Sequence, residues 1–200
     1  MPPLNNVIRN GQLEADIWRA FVPDENAPVP ASASASASAS ASASATHALP
    51  PDENGWLVTL ATWRAARDAL RLRRHPVAVY LGPDADPEDL LEAGAATIDA
   101  TGIAHLAIDF PVYTDGRGYS LAQLLRTQYG WGGELRAVGD VMIDTVHYMA
   151  RCGFDAFAVK PSHDPQAALA ALGTFTVHYQ KTYPAAAAPA ISATSRPAVR

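Results

Sequence analysis

Between Ile108 and Phe157, and just beyond at Lys160, the chain gathers charged side chains of the kinds that move protons: Asp109, Asp115, Arg117, Asp140 and Lys160. A carboxylate and an amine held near each other serve acid–base chemistry, because each shifts the other's proton affinity. Asp109, Asp140 and Lys160 are therefore the catalytic candidates. The segment TDGRGYS, Thr114 to Ser120, points to a second chemistry. Ser120 followed three residues later by Gln123 has the form of a capping box, which predicts a helix beginning at Leu121. Gly116 and Gly118 flank Arg117 and let the backbone turn tightly and approach a ligand closely. Unpaired N–H groups at a helix start, with a guanidinium beside them, make a small-anion site from Asp115, Gly116, Arg117, Gly118 and Ser120. Phosphate, sulfate, sulfite or a carboxylate fits that description. The plainer reading is that Arg117 pairs with Asp115 or Asp109 and pins the loop.

Other candidates carry less. Asp140, Asp144, His147 and Arg151 recur at spacings of four, three and four, which puts them on one face of a helix read as Asp140 to Cys152. A solvated polar face explains that row without a metal, and no metal site is assigned. Cys152 precedes Gly153 at the expected helix end, where the dipole weakens a thiol nucleophile, so it is read as a small buried side chain. Tyr129, Trp131, Phe154, Phe157, Phe175 and Tyr179 are read as core aromatics.

The elements that must hold these residues alternate in type. Trp56–Leu60 is read as a strand, with a helix opened by Thr62 running toward Arg74; Val77–Leu81 is a second strand, followed by an Asp86 cap and Pro87 at the first helical position. Ala104–Phe110, Leu135–Val138 and Phe154–Val159 are three further strands, and Asp164-Pro165 opens a last helix that ends near Gly173. Five strand–helix units predict an α/β domain with parallel strands, either an open sheet or a partial (β/α) barrel, since a closed barrel needs eight. In such folds the loops leaving the C-terminal strand ends share one edge, where ligands bind. That edge receives Asp109, Asp115, Arg117, Asp140 and Lys160. Upstream, Asn10-Gly11 between two short apolar runs predicts a hairpin turn, and Asp16–Val22 is a short strand or a helical turn. This N-terminal piece is expected to cover an edge of the main domain.

Composition sets the organisation and closes off several classes. Residues 1–30 form the hairpin and edge segment; 31–51, a near-perfect alanine–serine alternation ending in proline, is expected to be a disordered insertion; 52–183 is the α/β domain; 184–200 is expected to be a disordered tail. A formal net charge of −5 supplies no basic field for nucleic acid. No apolar run of membrane-spanning length and no secretory leader pattern is present, and a single cysteine suits a reducing cytoplasm.

The ordered motifs IDFP, TDGRGYS, LLR, YG, GELRAVGD, RCGFDAF and a closing Tyr179-Gln180 resemble an uncharacterised bacterial family, a domain of unknown function commonly encoded beside assimilatory sulfite reductase and often labelled as involved in sulfite reduction. The resemblance spans about Trp56 to Gln180 and brings no assigned catalytic residues. It implies a role in sulfur assimilation at the sulfite-to-sulfide step, with sulfite reductase or another sulfate-assimilation enzyme as partner. One cysteine, no G-x-G-x-x-G fingerprint and no haem motif argue against the chain being the reductase itself, and the sequence names no cofactor. The expected function is an accessory protein that docks to the reductase or handles a small oxyanion. The alternative is a free-standing α/β enzyme acting on a small anionic metabolite. A third reading makes Asp109, Arg117 and Asp140 a buried ionic cluster that only fixes the loops.

Overall fold

The structure, a computed structural model, describes residues 6–22 and 49–175. The expected disordered insertion, apart from its last residues, and the expected tail lie outside the described residues.

Asn10 and Gly11 both adopt positive φ, 51° and 71°, as a two-residue turn between antiparallel strands β1 (Asn6–Arg9) and β2 (Gln12–Ala15) requires. Six mutually parallel strands follow: β3 (Arg19–Ala20), β4 (Trp56–Thr59), β5 (Val77–Leu81), β6 (Ile103–Phe110), β7 (Glu134–Gly139) and β8 (Ala156–Ala158). The helices are α1 (Leu60–Arg71), α2 (Arg117–Thr127), α3 (Val146–Arg151) and α4 (Pro165–Leu172). The last begins and ends as expected, with Asp164 accepting the Gln166 N–H, Pro165 at the first position and Gly173 as cap.

Sheet order is β2-β1-β8-β7-β6-β5-β4-β3. The outermost strands, β2 and β3, are thus joined by Asp16, Ile17 and Trp18 alone. Such a link reaches at most about 14 Å, whereas eight strands laid flat would span about 34 Å. The sheet must curl, and it forms a half-barrel. Of the two forms expected, the curled one is observed, and the N-terminal segment lies along both edges rather than one.

Strand alternation sorts the side chains. Val58, Val79, Leu81, Leu106, Ile108, Phe110, Leu135 and Ala137 are buried on the helix-covered face. Tyr80, His105, Ala107, Asp109, Glu134, Arg136 and Val138 share the concave face, where strand register sets Tyr80 beside Ala107 and Asp109 beside Val138. The strap Asp16–Trp18 closes the floor of that concavity. Asp16 Oδ1 lies 3.1 Å from buried Arg136 Nη1, Arg136 also pairs with Glu134 at 2.8 Å, and Trp18 meets His105 edge-on at 4.5 Å. Burial, reinforced by the positive charges of Arg136 and Arg9, pushes His105 down to about 3, so its ring is neutral.

Helices α1 and α3 start elsewhere than expected, and the helical element after β5 starts as expected but is shorter. Helix α1 is capped by Thr59, whose Oγ1 accepts the Thr62 N–H at 3.2 Å, so Thr62 lies inside the helix. After β5, Asp86 and Pro87 do cap and open a helical turn, yet it is a single 3-10 turn, Pro87–Leu90. The Arg67 guanidinium donates to Asp89 O and Leu91 O, taking carbonyls that a continuing helix would use. Helix α3 starts at Val146 rather than Asp140. Asp140 and Asp144 therefore precede it, and the Asp140–Asp144–His147–Arg151 row does not exist as one helix face. Cys152 is buried at the end of α3, with its thiol pushed up by that burial. Trp131, Phe154 and Phe157 are core residues as expected, Phe175 is exposed, and Tyr179 lies outside the described residues. No helix among the described residues is long and apolar enough to cross a membrane.

Candidate functional site

Because β4 to β8 run parallel, the loops leaving their C-terminal ends crowd one edge of the half-barrel, and every candidate residue stands there. They form three separate groups, each tied within itself.

Asp109, next to last in β6, projects into the concave face, where its carboxylate acts on the Tyr80 hydroxyl. Burial, and then that carboxylate, pushes the phenol up to about 12. The end of β7 makes room for this pair. At Gly139, with φ +91°, an added Cβ would stand 2.5 Å from Phe110 O and 2.6 Å from Asp109 Oδ1. Tyr80 and Thr59 also line a cleft of about 360 Å³ with Leu60, Ala61, Gly82, Pro83, Asp84 and Ala85, at the ends of β4 and β5.

Asp140 is the first residue after β7 and Lys160 the second after β8. Lys160 Nζ lies 2.7 Å from Asp140 Oδ1, and Oδ2 accepts the Tyr113 N–H at 3.1 Å. The Lys160 ammonium and then this N–H hold the Asp140 carboxyl below the usual carboxylate range. Asp140 does not cap a helix. It joins the ends of β6, β7 and β8.

The third group is the TDGRGYS loop. Helix α2 begins with Arg117 after Gly116, three residues before Ser120, so the expected capping box is not formed. Asp115 takes the N-terminal donor instead, accepting the Arg117 N–H at 3.0 Å. Ser120 sits inside the first turn, with its N–H directed to Gly116 O at 3.5 Å. Gly118 is a packing residue, since a Cβ there would come within 2.6 Å of the Phe110 ring, while Gly116 faces open space. The Arg117 guanidinium grips Asp115 at 3.0 and 2.7 Å and reaches Asp84 with its remaining nitrogen. These contacts lower the Asp115 carboxyl and raise Arg117. Of the donors expected for an external anion, those of Arg117 are met by the chain's own carboxylates. The expected Asp109–Arg117–Asp140 ionic cluster is absent as such: each of the three has its own partners, and Arg117 is half exposed rather than buried.

Sequence reasoning missed Tyr80, Thr59, Asp84, Val112 and Tyr113. The first two had a usable signal, since each lies at the C-terminal end of its strand on the face that Asp109 shares. Asp84 reaches Arg117 across 33 residues, which no local pattern reveals. Val112 and Tyr113 are exposed at 52% and 50%, on a loop that the Asp140 and Arg117 groups hold at either end. Tyr148, 53% exposed in the first turn of α3, meets Tyr119 with tilted rings at 5.2 Å, and Tyr119 in turn meets Phe110 edge-on at 5.1 Å. An aromatic run thus leads from the core to the surface at this edge.

A family model described as bacterial protein of unknown function (DUF934) matches residues 78–189, more than half of the chain. No curated protein and no solved structure matches it.

Proposed function

We propose, on the premise that the chain belongs to the DUF934 family of bacterial proteins of unknown function, that it is an accessory protein of assimilatory sulfite reduction which docks to the reductase or to another sulfate-assimilation enzyme in the cytoplasm. The sulfur link comes from the motif resemblance. The choice of docking over oxyanion handling comes from one observation: the loop 111–116 is fixed through Asp140 and Arg117 while Val112 and Tyr113 stand half exposed. An apolar and aromatic anchor on a loop ordered in advance loses little entropy on association, which favours binding. Arg117, already facing Asp115 and Asp84, would have to give up a carboxylate to hold an oxyanion. Reductase purified from a strain lacking this protein tests the proposal. It should show lowered cofactor content or lowered activity, and unchanged assembly, cofactor content and activity would refute it.

The placing of Tyr80 and Asp109 on one concave face beside the cleft favours one second reading, a free-standing enzyme on a small anionic metabolite with Asp109, Asp140 and Lys160 in acid–base roles. Calorimetry of the purified chain against sulfur-pathway and phosphorylated metabolites decides it. Absence of both binding and turnover would sink it.

A further inference from the structure

The C-terminal edge is acidic. Its four connections, residues 82–86, 111–116, 140–145 and 159–164, carry Asp84, Asp86, Asp115, Asp140, Asp144 and Asp164. Against these six stand only Lys160 and, at the first position of α2, Arg117. The excess of four negative charges accounts for most of the chain's net −5. Both cations are spent locally, Lys160 on Asp140 and Arg117 on Asp115 and Asp84. Among the described residues no ion pair reaches Asp86, Asp144 or Asp164. At the opposite edge, residues 49–55, 72–76, 91–102 and 152–155 carry five acids, Asp52, Glu53, Glu92, Asp99 and Asp155, but each is ion-paired, with Arg73, Arg19, Arg71, Arg71 and Arg126.

On the acidic edge Val112 and Tyr113 stand exposed side by side in the chain, and Tyr148 is exposed at the start of α3. We infer that this edge docks a protein partner face in which an apolar pocket for Tyr113 is ringed by lysine and arginine; the inference rests on the docking reading above and adds the chemistry of the partner. Charge of this sign repels nucleic acid and anionic membrane surfaces and steers a basic protein surface toward the edge. Tyr113 supplies what charge alone does not: a large amphipathic ring on a backbone already fixed by Asp140. Asp115 N–H to Val112 O, at 3.0 Å, closes the same turn from its other end.

The test measures binding of the full chain to sulfite reductase holoenzyme at about 50 and about 200 mM salt, with photo-crosslinking in host cells from benzoylphenylalanine placed at position 113 and, as a control at the opposite edge, at exposed Leu72. The expected result is a Kd that rises about tenfold with salt, a further rise of about tenfold for Tyr113→Ala at either salt, and slowed association for Asp144→Lys. Binding that ignores salt, or that survives Tyr113→Ala unchanged, overturns this inference and leaves docking to the reductase intact. No binding to the reductase under any condition removes that partner, and the crosslinks then decide. A crosslinked peptide from position 113 that maps to a Lys/Arg-flanked apolar site, and is lost in Asp144→Lys, upholds the inference; crosslinks from position 72 alone, or none, overturn it.

Discussion

Tyr113 donates its backbone N–H to one oxygen of Asp140 at 3.1 Å, while the other oxygen holds Lys160 Nζ at 2.7 Å. One carboxylate thereby ties together the ends of three adjacent strands and holds the backbone that carries Tyr113. Asp140→Ala is expected to leave the core intact and release the loop. Hydrogen exchange at the Tyr113 amide should accelerate markedly, and docking should weaken although Tyr113 itself is unchanged. An amide as protected as in the wild type would show that the contact does not order the loop.

Arg117→Ala separates a structural from a functional use of the TDGRGYS loop. The guanidinium is 53% exposed in both of its ion pairs, although Asp115 is 11% exposed, and pairs that water reaches on the cation side add little to global stability. The unfolding midpoint should stay close to that of the wild type while docking declines. A large fall in the midpoint would make Arg117 a structural pin.

Arg136 is the opposite case. It is 5% exposed and bonds Asp16 and Glu134 on the floor of the half-barrel. Arg136→Met leaves partly buried Asp16 without its cation and Glu134 with Arg9 alone, and loosens the strap between β2 and β3. Urea unfolding should report a loss of about 3–5 kcal/mol. A loss below about 1 kcal/mol would mean that the strap is held by Trp18 on His105 instead.

His105 gives stability a pH dependence of determined sign. Its folded pKa, about 3, lies below the ordinary 6.5, so below neutrality the unfolded chain takes up a proton that the folded chain refuses. The contribution is complete above pH 6.5 and declines as pH falls from 6.5 toward 3. Relative to His105→Phe, the wild type should lose about 2 kcal/mol between pH 7 and 5. Parallel stability curves for the two proteins over that window would contradict the assignment.

What the sequence made legible was local. The Asn10-Gly11 turn, the Asp164-Pro165 start and the β6 and β7 strands each depend on residues within a few positions, and all formed close to where they were expected. The misplaced helix starts share a cause. Ser120 has the right chemistry for a cap, but Asp115 reaches the chain first, and Asp140 is claimed by Tyr113 and Lys160 before it can cap anything. The curl was one of two open forms because the pairing that decides it, a two-residue strand on β4 and Asp16 on Arg136 across 120 residues, leaves no periodic trace. Five candidate residues did reach one edge, yet which of them would touch was a long-range matter that spacing could not settle.

The most direct measurement is sulfite reductase activity in extracts of a deletion strain complemented with wild type or Tyr113→Ala, assayed with an artificial electron donor and then with the native one. The docking account predicts that activity is lost in the deletion strain, restored by the wild type and not restored by Tyr113→Ala. Loss with both donors would place the step in assembly or cofactor loading of the reductase, and loss with the native donor alone would place it in electron delivery. Full activity with both donors in the deletion strain would contradict the account.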